Sequence, residues 1–394
     1  MILRAYAKKI SWIQAAEILG YSPRHLRRLR QKYEQFGFHA LFDGRSGRAS
    51  PRRLPIAVVE EVLRLYREEY FDFNVRHFHK HLVEKHSIAV SYTSTKCLLQ
   101  ASGLVAKEPS RNKHRRRRQR RPLPGMLLHI DGSEHQWFLD ERWFDLIVIL
   151  DDATSEIYYA QLVEAESTRS VMTGIRQVIQ GKGIFCALYS DRASHFFLTP
   201  KAGEPVDRQA LTQVGRALRE LGIQLIPAYW PQARGRSERS FGTWQGRLPQ
   251  ELRIRQITTL EQANHFLRHE YIAEFNGRFS RAAEEEGTAF VPCQRTDLER
   301  IFSIQSERIV NRDNTVKFKN LFLQIDRQAW RGTLSGCRVV VYQHFDDTIS
   351  IGFGAHTLGS YSSDGLPLKQ PIIKRRKTTH SQSFSQTQTG HLIC

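Results

Sequence analysis

Three acidic residues stand in settings that suit one kind of chemistry: Asp131 in Leu-Leu-His-Ile-Asp-Gly-Ser, Asp191 in Ala-Leu-Tyr-Ser-Asp-Arg, and Glu238 in Pro-Gln-Ala-Arg-Gly-Arg-Ser-Glu-Arg-Ser-Phe. The first two end apolar, strand-like runs, and the third opens an amphipathic helix. Carboxylates placed in this way can converge on a pair of divalent metal ions, the arrangement that displaces an oxygen at phosphorus.

Positioning these side chains calls for a sheet. Residues 126–130, 143–150, 156–163, 184–189 and 223–228 read as five strands. Ser167 can cap a helix through Val171, Ile175 and Ile179, and residues 210–221 form another. In the third helix Phe241, Trp244 and Leu248 share a stripe, so packing it on the sheet aims Glu238 at the edge where the strands end. Pro249 falls where that helix should continue and predicts a stop or kink near Leu248. Gly235 lets backbone approach, with Arg234, Arg236 and Arg239 placed to grip phosphates. Three strands, helix, strand, helix, strand, helix is the order of an RNase H-like fold. Asp151 and Asp152 end the second strand, where a turn acid is the ordinary explanation. Glu134 and His135 follow Asp131 and are expected to stand outside the direct ligands.

Charge points to a polyanion. Of 59 basic and 40 acidic residues, 27 and 10 precede residue 122, so +17 of the net +19 lies in the front third. Clustered positive charge of this kind is an electrostatic footprint for nucleic acid. The five cysteines (Cys97, Cys186, Cys293, Cys337, Cys394) are scattered and form no CxxC pair, which argues against a disulfide framework or zinc ribbon. No apolar run approaches the roughly 20 residues that span a bilayer, and a cytoplasmic, nucleoid-associated protein is expected.

The front third carries helical modules. Ile13, Ala16 and Leu19 are spaced for one helix, Gly20-Tyr21 breaks it, and Ser22-Pro23 opens a second. There Leu26, Leu29 and Tyr33 face inward, leaving Arg24, His25, Arg27 and Arg28 for DNA. This helix-turn-helix takes residues 1–42, followed by a basic linker at 43–55. A second helical DNA-binding module spans 56–110. His77, His79, His81 and His86 cluster within it; with no paired cysteines to complete a zinc set, they are expected as face histidines near phosphate. Residues 111–124 form an arginine-rich linker, with Arg115, Arg116, Arg117 and Arg118 on the DNA backbone. The α/β core occupies 125–290, closed by a helix over 259–275 that stops at Asn276-Gly277. Short strands at 301–304, 308–310, 315–325, 337–342 and 348–353 make a small β-rich module over 291–358, with Lys317, Lys319 and Arg338 available for DNA. From 359 to 394 the chain is polar and expected to be disordered.

The run Ile-Asp-Gly-Ser-Glu-His-Gln-Trp-Phe, the Tyr-Ser-Asp at 189–191, and Pro-Gln-Ala-Arg-Gly-Arg-Ser-Glu-Arg-Ser-Phe-Gly-Thr-Trp-Gln resemble the DDE integrase core of bacterial insertion-sequence transposases, nearest the ISNCY-type group. The likeness covers the leading helix-turn-helix, the core and the trailing module. It implies that Asp131, Asp191 and Glu238 bind two Mg²⁺ (or Mn²⁺) ions. It also implies a trailing β-barrel-like module and a homo-oligomer assembled on double-stranded DNA. The activity implied is cleavage beside terminal repeats and transfer of 3′ ends to target DNA. The family usually has a longer lead helix, so a late start or damaged copy is one expectation. Two alternatives follow: a repressor that binds repeats without catalysis, and a nuclease of the same fold.

Overall fold

The structure, a computed structural model, describes residues 1–42, 53–107, 119–198, 210–229 and 235–368, apart from the side chains of 236 and 237. Most of the expected linker 43–55, the run Arg115 to Arg118, Arg234, the side chain of Arg236 and the tail beyond 368 lie outside the described residues. The chain divides into two compact units, residues 1–71 with 75–108, and residues 72–74 with 109–394.

In the first unit, α1 (Ile2–Tyr6), α2 (Trp12–Leu19) and α3 (Pro23–Phe36) pack around Ala5, Ala15, Ala16 and Leu26. Ser11 and Gln14 close a capping box at the start of α2, Gly20 ends it at φ +67°, and Ser22 caps α3 by accepting the His25 N–H. Ile13, expected inward, is 64% exposed. The small Ala15 and Ala16 take the inner position, which lets the helices approach closely. Next come α4 (Ile56–Glu68), α5 (Val75–Glu84) and α6 (Tyr92–Ala101), whose buried side chains include Val62, Leu65, Phe78, Leu82 and Leu99. His77 and His81, expected on a face near phosphate, are buried, their rings 5.1 Å apart. Each precedes an inward apolar residue, Phe78 or Leu82, so the two stripes merge into one broad buried face. His79 Nε2 meets the Val90 carbonyl at 2.7 Å and His86 Nε2 meets the Tyr70 hydroxyl at 3.0 Å.

The second unit is built on β1 (Leu128–His135), β2 (Phe144–Asp151), β3 (Ile157–Val163), α7 (Thr168–Lys182), β4 (Ala187–Ser190), α8 (Gln213–Glu220) and β5 (Gln224–Pro227). The sheet order is β3-β2-β1-β4-β5. β1, β2 and β3 are antiparallel neighbours, whereas β4 runs parallel to both β1 and β5. This mixed five-stranded order is the one expected of an RNase H-like core. Both faces are covered, which accounts for the nearly unbroken apolar strands. One face buries Leu128, Ile130 and Ile147 against Val171 and Ile175 of α7 and Val214 and Leu218 of α8.

The other face buries Leu146, Val148 and Ile157 against α9 (Gly235–Gln245), α10 (Leu248–Ile254), α11 (Leu260–Phe266) and α12 (Ile272–Phe279), the last two joined by a π-helical turn at Leu267–Tyr271. Asn276-Gly277 does not stop α12, contrary to expectation. Asn276 instead accepts the Ile157 N–H and donates to the Ile157 carbonyl, both at 2.8 Å. Asn264 holds Leu162 in the same way, at 2.7 and 2.8 Å. Two amides thus cover polar groups on the free side of edge strand β3 that would otherwise invite strand pairing.

Where a strand was expected at 301–304, a short helix α13 (Leu298–Ile301) places Leu298, Ile301 and Phe302 in the core cluster. Then β6 (Ile304–Ile309), β7 (Thr315–Phe318), β8 (Leu321–Gln324), β9 (Arg338–Gln343), β10 (Ile349–Phe353) and β11 (His356–Tyr361) follow. They form a four-stranded antiparallel sheet, β11-β10-β9-β6, and a separate β7-β8 hairpin rather than a closed barrel. The run 315–325, read as one strand, turns at Lys319, which has φ +53°. β11 carries ordered chain past residue 359, because Leu358 and Tyr361 are buried in this module's core.

Candidate active site

Asp131 does not end a strand. β2 offers β1 a partner along its whole length, so β1 continues to His135 and Asp131 sits mid-strand opposite Val148. Val148 belongs to the face that α9 covers, and Asp131, 6% exposed, shares that face. Asp191 follows β4 directly, its Oδ1 accepting the Ala193 N–H at 3.0 Å. The two acids are matched in register. β1 and β4 pair in parallel through His129 and Tyr189, and each acid lies two residues beyond that pair.

Glu238 is exposed in the first turn of α9. That helix lies against β1, held by buried Phe241 and Trp244 and by Gln245 Nε2 donating to Ser133 Oγ at 2.9 Å. Trp244 stacks on Phe275, with centroids 4.5 Å apart at 15°. α9 ends at Gln245, earlier than expected, and Pro249 occupies the first turn of α10, where its missing N–H costs no helical hydrogen bond.

The strand register brings Asp131 and Asp191 to one end of the sheet, and Glu238 stands in the first turn of the helix that lies against β1. Among the described residues the three carboxylates are not gathered within 4.8 Å of one another. Carboxylates drawn together repel unless a cation offsets them. The donor set is all hard oxygen, which fits Mg²⁺ or Mn²⁺ and not a softer metal.

Neighbouring acids are engaged in the framework. His129 Nε2 lies 2.7 Å from Asp152 Oδ1, both side chains are buried, and Asp152 Oδ2 accepts the Arg121 N–H at 2.8 Å. The His129 ring also meets Tyr189, 5.3 Å between centroids, closing the layer beneath the two matched acids. Asp151 accepts the N–H groups of Gly125 and Thr154 and the Thr154 hydroxyl. Glu134 is exposed, and His135 packs on Trp137, with burial holding its imidazole below the ordinary range.

Sequence reading missed Glu166 and His195, because nothing in their spacing pairs residues from two separate loops. Glu166 Oε1 lies 2.9 Å from His195 Nε2. Of the residues expected at DNA, Arg24, His25, Arg27 and Arg28 are exposed on α3 around buried Leu26, and Arg239 is exposed on α9. Lys317, Lys319 and Arg338 are exposed in the trailing module. Among the described residues no helix is long and apolar enough to cross a membrane.

Residues 2–50 match a family model described as a helix-turn-helix domain. The chain is 28% identical over 362 residues to the presumed transposase y4bF of Sinorhizobium fredii, covering 89% of this chain and 77% of that protein. It is 27% identical over 355 residues to the transposase for insertion sequence IS1202 of Streptococcus pneumoniae, covering 81% and 76%. The resemblance to insertion-sequence transposases therefore extends over most of the chain. Among solved structures, the HTLV-2 integrase catalytic core domain in complex with magnesium aligns at 16% identity over 36% of this chain and 83% of that one, TM-score 0.28. A simian T-cell lymphotropic virus intasome in complex with PP2A regulatory subunit B56 gamma aligns at 11% over 74% and 95%, TM-score 0.33. At those scores the likeness is too slight to bear on function.

Proposed function

We propose that this protein is a DNA transposase that binds the terminal repeats of its element, cleaves phosphodiesters beside them and joins the 3′ ends to target DNA. Asp131, Asp191 and Glu238 are its catalytic carboxylates. The observation that carries this reading is that Asp131 and Asp191 each lie two residues beyond the paired His129 and Tyr189 of the parallel strands β1 and β4, with α9 laid against β1 and Glu238 in its first turn. The similarity to transposases over most of the chain supports the same class of reaction.

Asp131, Asp191 and Glu238 would hold two Mg²⁺ or Mn²⁺ ions, which supply Lewis-acid activation of the attacking and leaving oxygens when bound. The chain's part is to fix those ligands. Asp131 is set by eight consecutive pairs between β1 and β2, Asp191 by its turn to Ala193, and Glu238 by the buried stripe of α9. Arg239, with Arg234 and Arg236, is assigned to phosphates flanking the scissile bond. The helix-turn-helix at 1–42 and the helical module at 56–110 are assigned to the repeats, and the basic run at 111–124 to the DNA backbone. The core is taken as 125–290 and the trailing module as 291–358. Assembly on DNA would pair two or more copies.

Incubating the full chain with duplexes carrying the element's own ends tests the proposal. Cleavage and joining are expected with Mg²⁺ or Mn²⁺, and robust strand transfer in chelator without added metal would sink it.

A further inference from the structure

We propose that Glu166 and His195 form a latch that fixes the loop carrying Asp191, and that Gly132 is glycine because the latch occupies the space beside it. Glu166 lies in the connection between β3 and α7, immediately before the helix cap Ser167. It touches three pieces of the catalytic edge at once. Its N–H donates to Asp145 Oδ2 on β2 at 2.7 Å. Its carboxylate lies against β1 at Gly132, where a Cβ would come within 2.3 Å of Oε2. Its Oε1 stands 2.9 Å from His195 Nε2, an ion-pair approach off the line of a well-formed hydrogen bond.

His195 belongs to the same compact turn as Asp191. The turn opens with Asp191 Oδ1 accepting the Ala193 N–H at 3.0 Å, and closes with the Phe196 and Phe197 N–H groups donating to the Ala193 carbonyl at 2.9 and 3.0 Å. Phe196 is buried and anchors the far end of the turn in the core. Ala193 and Phe197 pack against the same core. The contact from Glu166 adds a polar tie, on the face of the sheet opposite α9 and against β1 one residue from Asp131. The pair therefore acts as a positioning device: neither residue is assigned to metal or DNA, and both set where Asp191 stands relative to Asp131. A carboxylate and an imidazole largely out of water, with side chains 22% and 13% exposed, interact more strongly than a surface pair.

The inference rests on the assignment of Asp191 to the catalytic edge, and its test separates the two. Full-length Glu166→Gln, His195→Gln and Gly132→Ala variants would be compared with the parent by hydrogen exchange over residues 190–198, by calorimetric titration with Mn²⁺ alone, and by thermal melting. The latch predicts exchange in that segment faster by about tenfold or more in each variant, as for loss of one charged contact. It also predicts Mn²⁺ affinity reduced several-fold and a Glu166→Gln/His195→Gln double variant no worse than either single one. Gly132→Ala keeps both latch residues and only displaces the carboxylate, so the same response there excludes a general folding defect. Unchanged exchange in all three variants, or faster exchange with unaltered Mn²⁺ affinity, overturns the proposal. If Asp191→Asn retains full cleavage while the exchange result holds, the catalytic assignment fails and the latch stands only as a structural contact.

Discussion

His129 and Asp152 form a buried pair, Nε2 to Oδ1 at 2.7 Å, one layer beneath Asp131 on the same face of the sheet. Asp152 also accepts the backbone N–H of Arg121. Its carboxylate is thus part of the framework, and Asp152→Ala should act through stability. Removing the carboxylate leaves buried His129 and the Arg121 N–H without their acceptor, at about 1–3 kcal/mol per group left unsatisfied. A urea titration should show the midpoint falling accordingly, while folded protein at low temperature keeps more than a tenth of its cleavage activity. An unshifted midpoint with abolished cleavage would make Asp152 a metal ligand instead.

Asn264 and Asn276 each hold both backbone groups of one residue on edge strand β3. Replacing either with alanine strands a donor and an acceptor, at about 1–3 kcal/mol per group left unsatisfied. Leu162 and Ile157 are about 16 Å apart along an extended strand, so the two losses should add in chemical denaturation. A loss confined to one of the two positions would mean that water replaces the amide at the other.

Most of the core could be read in the sequence because both faces of the sheet are buried, which leaves long apolar runs bounded by turn residues. Phe241 and Trp244 likewise announced which side of α9 faces the sheet, while Leu248, read with them, falls in α10. What escaped was set by partners distant in sequence. Asp131 looked terminal because apolar residues stop at Ile130, yet pairing with β2 carries the strand on to His135. Asn276-Gly277 looked like a helix stop, but a tertiary contact to Ile157 holds Asn276 within α12. His77 and His81 looked like surface groups because polarity alone does not report burial. The Glu166–His195 contact joins two loops with no periodic signal at all.

The all-carboxylate site proposed above would set the metal preference. Mg²⁺ and Mn²⁺ should both support cleavage, since their compact coordination holds oxygens in line. Ca²⁺ should permit DNA binding with little cleavage, because its looser shell holds the same oxygens poorly. Parallel gel-shift and cleavage assays in each metal check this, and efficient turnover in Ca²⁺ would contradict it.

The exposed arginines of α3 and the arginine run before the core should differ in what they read. Arg24→Ala and Arg28→Ala in the full chain should erode preference for the terminal repeat over random DNA, by about 1–3 kcal/mol for a lost bidentate base contact. Neutralising Arg115 to Arg118 should weaken binding to all sequences alike and flatten its salt dependence, as expected for phosphate contacts. Gel shifts with specific and random duplexes across a salt series distinguish the two. Equal loss of specific and random binding on changing Arg24 and Arg28 would remove them from base recognition.

The measurement closest to the central claim is cleavage and joining of element ends by Asp131→Asn, Asp191→Asn and Glu238→Gln, each assayed beside DNA affinity and thermal melting. Every one of these changes removes a ligand charge while keeping side-chain size. The account predicts that each variant folds and binds DNA nearly as well as the parent, and that each loses cleavage and joining by far more than tenfold, as expected when a ligand of a catalytic metal pair is removed. Activity above roughly a tenth of the parent in any one of them, with folding and DNA binding intact, would remove that residue from the catalytic set.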